Sequence, residues 1–208
     1  MSIIVKNFKW GTESFNDYPV YVFLFVSRNK DNKDIKNFKE RRKSFIAPSN
    51  RLEHIKQEFK DFVNQGVDGE FCRMYQSINN RDTNKVYKQL LHFLIDNPGF
   101  NLCDIQPKLA GIAAQKECAL SKHWMFDFDI NDEDKVKEFI KDIYEIDNNN
   151  VAFYQNTPHG YAVITERGFD IRELVKKWPD VGLKRDDLVC VMWMAKGDAN
   201  EQKSISCV

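Results

Sequence analysis

A chain of 208 residues, 42% hydrophobic and 13% aromatic with 16 Phe, can bury a core of its own and fits one domain or a domain with an appendage. Lys and Arg number 31, and so do Asp and Glu, which excludes a protein that coats nucleic acid by bulk charge and leaves room only for a local basic groove. The five cysteines (72, 103, 118, 190 and 207) contain no CxxC pair and exclude a zinc site, and no stretch approaches the ~20 apolar residues that span a membrane.

The cysteines read as reduced thiols of a cytosolic protein, and MSIIVKNFKW at the start carries no cleavage signal. Residues 18–27 (YPVYVFLFVS) are β-branched and aromatic and predict a buried strand. Residues 28–42 are polar and highly charged and predict an exposed loop or solvated helix. Leu52, Ile55, Phe59 and Phe62 recur at helical spacing and predict a helix over 49–63, after which Gly66 and Gly69 punctuate the chain. Residues 70–78 alternate as a strand, with Arg73, Tyr75 and Ser77 on one face and Cys72, Met74 and Gln76 on the other. Asp82 fits the N-cap of a helix running to 95 with a stripe of Val86, Leu90, Leu91 and Leu94.

A further helix is predicted over 106–120, with Pro107 in its first turn. Residues 123–130 (HWMFDFDI) predict a strand, and 131–144 a helix whose acidic first turn suits the helix dipole. Residues 151–155 and 161–165 predict a hairpin turning at 157–160, followed by a short helix over 170–177 and a last buried strand over 188–195. The fold class expected is α+β. Residues 123–195 form an RRM-like βαββαβ portion with a small mixed or antiparallel sheet, and an N-terminal α/β portion (1–122) packs against it. The tail, 196–208, is expected to fray.

Asp127 and Asp129 are the sharpest chemical feature. Strand alternation places both carboxylates on one side and sends Phe126, Phe128 and Ile130 into the core. Paired carboxylates repel, and Mg²⁺ or Mn²⁺ relieves that cost while bridging to substrate phosphates. The plain alternative is the solvated face of an amphipathic strand. A second feature is the turn TPHGYAVI: Gly160 allows close backbone approach to a phosphate, and His159 can donate to a phosphate oxygen. A third is the run Arg73-x-Tyr75-x-Ser77-x-Asn79-x-Arg81, in which the arginines suit phosphate and Tyr75 suits stacking on a base, against the reading of an edge strand whose arginines pair with acids. Arg41, Arg42 and Lys43, like His92 and His123, read as ordinary surface or core residues.

Together these residues resemble the archaeo-eukaryotic primase (primase-polymerase) superfamily, through the DxD strand Met125-Phe126-Asp127-Phe128-Asp129 and the small-x-His hairpin Thr157-Pro158-His159. Residues 73–82 (RMYQSINNRD) also resemble a segment of small phage-encoded proteins with a GYHI-type hairpin. The resemblance covers roughly 70–195. It implies that Asp127 and Asp129 hold the catalytic metals and that His159, with Gly160 and Tyr161 in the same hairpin, faces nucleotide phosphates. It assigns Arg73, Ser77, Asn79 and Arg81 to phosphate binding and Asp187 to the third acidic position, ahead of Asp186 and Asp198. In a GYH-type hairpin the histidine's place is taken by Ala162, which implies that triphosphate binding is impaired or moved to His159.

The expected function is metal-dependent nucleotidyl transfer on nucleoside triphosphates with DNA or RNA, in the cytoplasm, or the host cytoplasm for a phage protein. The alternatives are a catalytically impaired domain that binds nucleotide or nucleic acid, as a phage protein acting in host conflict, and a phosphodiester-cleaving enzyme with the same acidic pair.

Overall fold

The computed structural model describes residues 18–197. The expectations for the first ten residues, for Asp198 and for the remainder of the tail lie outside the described residues. Strand β1 (Val20–Ser27) is apolar on both sides because both sides are covered. Tyr21, Phe23 and Phe25 point to one face, where helix α1 (Leu52–Asn64) supplies Ile55, Phe59, Phe62 and Val63. On the opposite face Val22 meets helices α2 (Thr83–Asp96) and α3 (Ile105–Ala113) through Val86, Ala110, Ile112 and Ala113. Each such large side chain, fully buried, contributes roughly 1.5–3 kcal/mol.

The remaining strands of this sheet are β2 (Arg41–Pro48), β3 (Phe71–Ser77) and β8 (Leu188–Ala195), in the antiparallel order β2-β1-β3-β8. β2 begins at Arg41, inside the 28–42 run expected to be an exposed loop or a solvated helix. Its first residues are Arg41-Arg42-Lys43, whose charge conceals an edge strand that docks Phe45 and Ala47 on the α1 side and Ile46 on the side of α2 and α3. Those three cations pair with Glu70, Glu40 and Glu58, in keeping with their reading as ordinary surface residues. α3 stops at Ala113, short of the expected residue 120, and a turn of 3₁₀ helix at Lys116–Cys118 follows.

The second sheet has the order β5-β6-β4-β7, all antiparallel, built from β4 (Trp124–Phe128), β5 (Ala152–Thr157), β6 (Gly160–Thr165) and β7 (Gly182–Lys184). With α4 (Glu133–Ile146) and α5 (Arg172–Lys177) this is the RRM-like βαββαβ arrangement. One face carries Phe126, Phe128, Tyr161 and Val163 onto Val136, Phe139, Ile140 and Ile143 of α4 and Leu174 of α5. Ile130 does not join that core: it lies beyond the end of β4 and is exposed.

The sixth element of the βαββαβ unit is the three-residue strand β7. The longer strand 188–195, expected to close that unit, crosses back and pairs with β3 in the N-terminal sheet. The chain therefore runs from the first sheet into the second and returns. Met125, Ala162 and Ile164 of the second sheet pack on Ile78 and Val189 of the first, so the two sheets meet face to face at one end. Where that apolar contact ends, a cleft opens between them. Among the described residues no helix is long and apolar enough to cross a membrane.

Candidate active site

The cleft has a volume of about 250 Å³. Its first wall comes from the end of β1 and from β3 and β8: Arg28 and Lys30, then Arg73 and Tyr75, then Val189 and Cys190. Its second wall comes from the RRM-like sheet: Met125 and Asp127 of β4, Asp129 just beyond it, Ala162 of β6, Lys184 of β7, and the turn Thr157-Pro158-His159. Alternation along β4 sends Phe126 and Phe128 to the α4 core and leaves Asp127 and Asp129 on the cleft side, as the pattern of the strand predicts.

The first wall is held by a buried ionic network. Asp31, in the 3₁₀ turn Asn29–Asp31 after β1, accepts from Arg28 Nε at 2.8 Å and from Arg73 Nη2 at 2.6 Å. Burial alone would raise the Asp31 carboxyl, but the Arg28 hydrogen bond and the charges of both arginines outweigh it and hold its pKa below the ordinary value. Arg73, only 4% exposed, also donates Nη2 to Nε2 of His159 at 2.9 Å. A guanidinium has no lone pair to offer, so His159 accepts and its proton sits on Nδ1. Arg73 Nε and Arg28 Nη2 are buried without a hydrogen-bond partner among the described residues. The buried Arg73 and the half-buried Arg28, sharing one carboxylate, leave donors and positive charge for an anionic ligand. Nearby, burial pushes the Cys190 thiol up to about 12, so it stays a neutral wall group.

The second wall is acidic with one cation among the acids. Lys184 Nζ lies 3.1 Å from Asp127 Oδ2 and 3.4 Å from Asp187 Oδ2. Asp129 has no hydrogen-bond or ion-pair partner among the described residues. Asp187 is tied to Lys184 and accepts from its neighbour's amide, Leu188 N, at 2.7 Å; it is not among the residues that line the cleft. Among the described residues no three His, Cys, Asp or Glu side chains are grouped to cage a metal. The donor set of Asp127 and Asp129 fits Mg²⁺ or Mn²⁺ in one way, with the remaining ligands drawn from substrate phosphates and water.

Three residues expected to bind phosphate lie elsewhere. Arg81 is 3% exposed and forks onto Asp186, with Nη1–Oδ2 and Nη2–Oδ1 both 2.9 Å. Asn79 Oδ1 accepts from Ser121 Oγ and the His123 amide, and its Nδ2 donates to Asp186 Oδ1 and the His123 carbonyl. Ser77 Oγ accepts from Val22 N and donates to Asn79 O. These bonds fasten the end of β3 to the residues leading into β4 and β8, so the segment joins the sheets at their seam. Asp186 is thereby removed as a third acid. Gly160 and Tyr161 support the turn from behind: a Cβ on Gly160 would strike the backbone of Phe128 and Ile130, and the Tyr161 ring packs edge-on against Tyr154 in the α4 core.

Sequence reasoning missed Arg28, Lys30 and Lys184. Arg28 and Lys30 stand at the head of a charged run that reads as solvated, and Lys184 lies in a strand too short to show a period. Protein-family models, curated proteins and solved structures contain no match to this chain.

Proposed function

We propose that the cleft performs metal-dependent nucleotidyl transfer, as a minimal primase-polymerase core acting on nucleoside triphosphates with DNA or RNA in the cytoplasm. The division of charge carries this reading: Asp127 of β4 and Asp129 just beyond it face the buried Arg73 and the half-buried Arg28, both incompletely bonded, across a single cleft. Arg28, Arg73 and Lys30 would bind the polyphosphate, and His159 would turn from Arg73 to a phosphate oxygen. Asp127 and Asp129 would hold Mg²⁺ or Mn²⁺. Such an ion, when bound, makes the phosphorus more electrophilic and offsets the charge that builds in an in-line displacement. In that displacement a 3′-hydroxyl oxygen bonds to the α-phosphorus while the bond to pyrophosphate breaks. Asp129, unpaired among the described residues, is the carboxylate open to the hydroxyl proton, and the two arginines neutralise the departing pyrophosphate.

The test is incorporation of labelled nucleotide by the purified chain, with Mg²⁺ and with Mn²⁺, on several DNA and RNA templates. Incorporation that Asp127→Asn abolishes is the expected result. No incorporation under any of these conditions sinks the transfer reaction.

A second reading is a non-catalytic binder of nucleotide or nucleic acid, in a phage-host conflict setting. The contact of Lys184 with Asp127 favours it, as does Ala162, which stands opposite Asp127 in the β4–β6 register. Calorimetric binding of a nucleoside triphosphate without turnover would select it.

A further inference from the structure

Lys184 occupies the position beside Asp127 that a divalent ion would need. Its placement is built into the sheet: β7 pairs with β4, setting Gly182 opposite Asp127 and Lys184 opposite Met125. From there the ammonium reaches Asp127 on one side and Asp187 on the other.

The balance of charge over the whole cleft points the same way. Arg28, Lys30, Arg73 and Lys184 line it against Asp127 and Asp129. Asp31, which pairs with both arginines, and Asp187, which pairs with Lys184, bring the balance to zero. A bare dication finds no net negative charge to hold it there and must compete with Lys184 for Asp127, whereas a polyphosphate is drawn to Arg73 Nε and Arg28 Nη2 and makes the cleft negative.

We infer that Lys184 is the resident counter-cation of Asp127, a positioning residue that makes divalent-ion binding conditional on a phosphate-bearing ligand. The inference rests on the cleft being a metal-dependent phosphate site. Once a polyphosphate is in place, Lys184 gives up Asp127 and has two acceptors to hold it, Asp187 and a phosphate oxygen. Asp187 thus serves as a parking place for the lysine, a role that needs no direct contact with metal.

The experiment is Mn²⁺ binding to the whole chain, read from the electron paramagnetic resonance of free Mn²⁺, without and with inorganic triphosphate, on folded variants checked by circular dichroism. For the wild type, Mn²⁺ alone binds weakly and triphosphate tightens it by about tenfold or more, the size expected when a few negative charges enter a partly exposed site. Lys184→Met binds Mn²⁺ alone roughly fivefold to tenfold more tightly than wild type and gains less from triphosphate. Lys184→Gln gives the same result should the methionine variant misfold, and Lys184→Arg, which keeps the cation, behaves as wild type. Equal Mn²⁺ affinity for wild type and both neutral variants, with binding that Asp127→Asn removes, overturns the role of Lys184 and leaves the metal site standing. No Mn²⁺ binding in any variant, even with triphosphate, overturns the metal-dependent reading and this inference with it.

Discussion

Arg73 on β3 and His159 in the β5–β6 turn share a 2.9 Å hydrogen bond across the cleft, joining one residue from each sheet. Arg73 is the more deeply committed of the two, because it also holds Asp31. Arg73→Ala removes a charge-assisted donor and is expected to weaken nucleoside triphosphate binding by about 2 kcal/mol, or roughly thirtyfold in Kd. Calorimetric titration checks this. Retained affinity in a folded variant would mean that the first wall does not take the phosphates.

Arg81 is expected to behave differently from Arg73 despite lying in the same sequence run. Removing it strands Asp186, whose side chain is 11% exposed, beside the seam of the two sheets. Arg81→Ala is expected to lose about 3–5 kcal/mol of stability in urea denaturation. The double variant Arg81→Ala/Asp186→Ala should recover part of that loss, because no buried charge is then left without a partner. A stable Arg81→Ala protein with weakened nucleotide binding would restore the phosphate role that the sequence suggested.

Acid should loosen the first sheet before the second. Asp31 is held below its ordinary value by Arg28 and Arg73 against the opposing effect of burial. Glu70 is likewise held down, against burial, by the Val67 amide and Arg41. A carboxyl whose folded pKa is depressed stabilises fully above its unfolded pKa, and that stability disappears as pH falls toward the folded value. The urea midpoint should therefore hold steady near neutrality and fall below about pH 4. Asp31→Asn should lower the midpoint at pH 7 and flatten the decline below pH 4. An unchanged acid slope would show that Asp31 does not carry it.

Phe139 tests the independence of the second core. Its ring lies 5.1 Å from that of Phe126, 4.7 Å from Phe128 and 5.6 Å from Trp178. Phe139→Ala is expected to cost about 3–5 kcal/mol. Because Asp127 rides on the strand that carries Phe126 and Phe128, and Asp129 follows directly after it, the loss should also blunt Mn²⁺ binding with triphosphate present. Near-wild-type stability would mean that the cavity collapses.

What the sequence revealed follows what is local. Strand alternation is local, so the shared side of Asp127 and Asp129 and the inward turn of Phe126 and Phe128 could be read directly. The Asp82 cap could be read too, and its side chain accepts from the Lys85 amide at 3.1 Å. Pairings between distant segments could not. Nothing near Arg81 announces Asp186, and nothing near Arg28 announces Arg73. The charged start of β2 and the three residues of β7 defeat periodicity for opposite reasons: the first is an edge that tolerates charge, and the second is too short to repeat. The α2 stripe was read one residue too generously, because Leu91 turns out to solvent at 60% exposure while Val86 is fully covered.

The return of the chain at β8 has a consequence for biosynthesis. Phe71 pairs with Ala195 and Ser77 with Leu188, so β3 waits for its outer neighbour until the entire RRM-like unit has been made. During translation the second unit can close locally, whereas β3 keeps an unpaired edge, apolar on the α1 side, and open to illegitimate partners. The protein should depend on slow release or chaperone shielding at that stage, and shortening it before residue 188 should yield insoluble material instead of a half-sized active fragment.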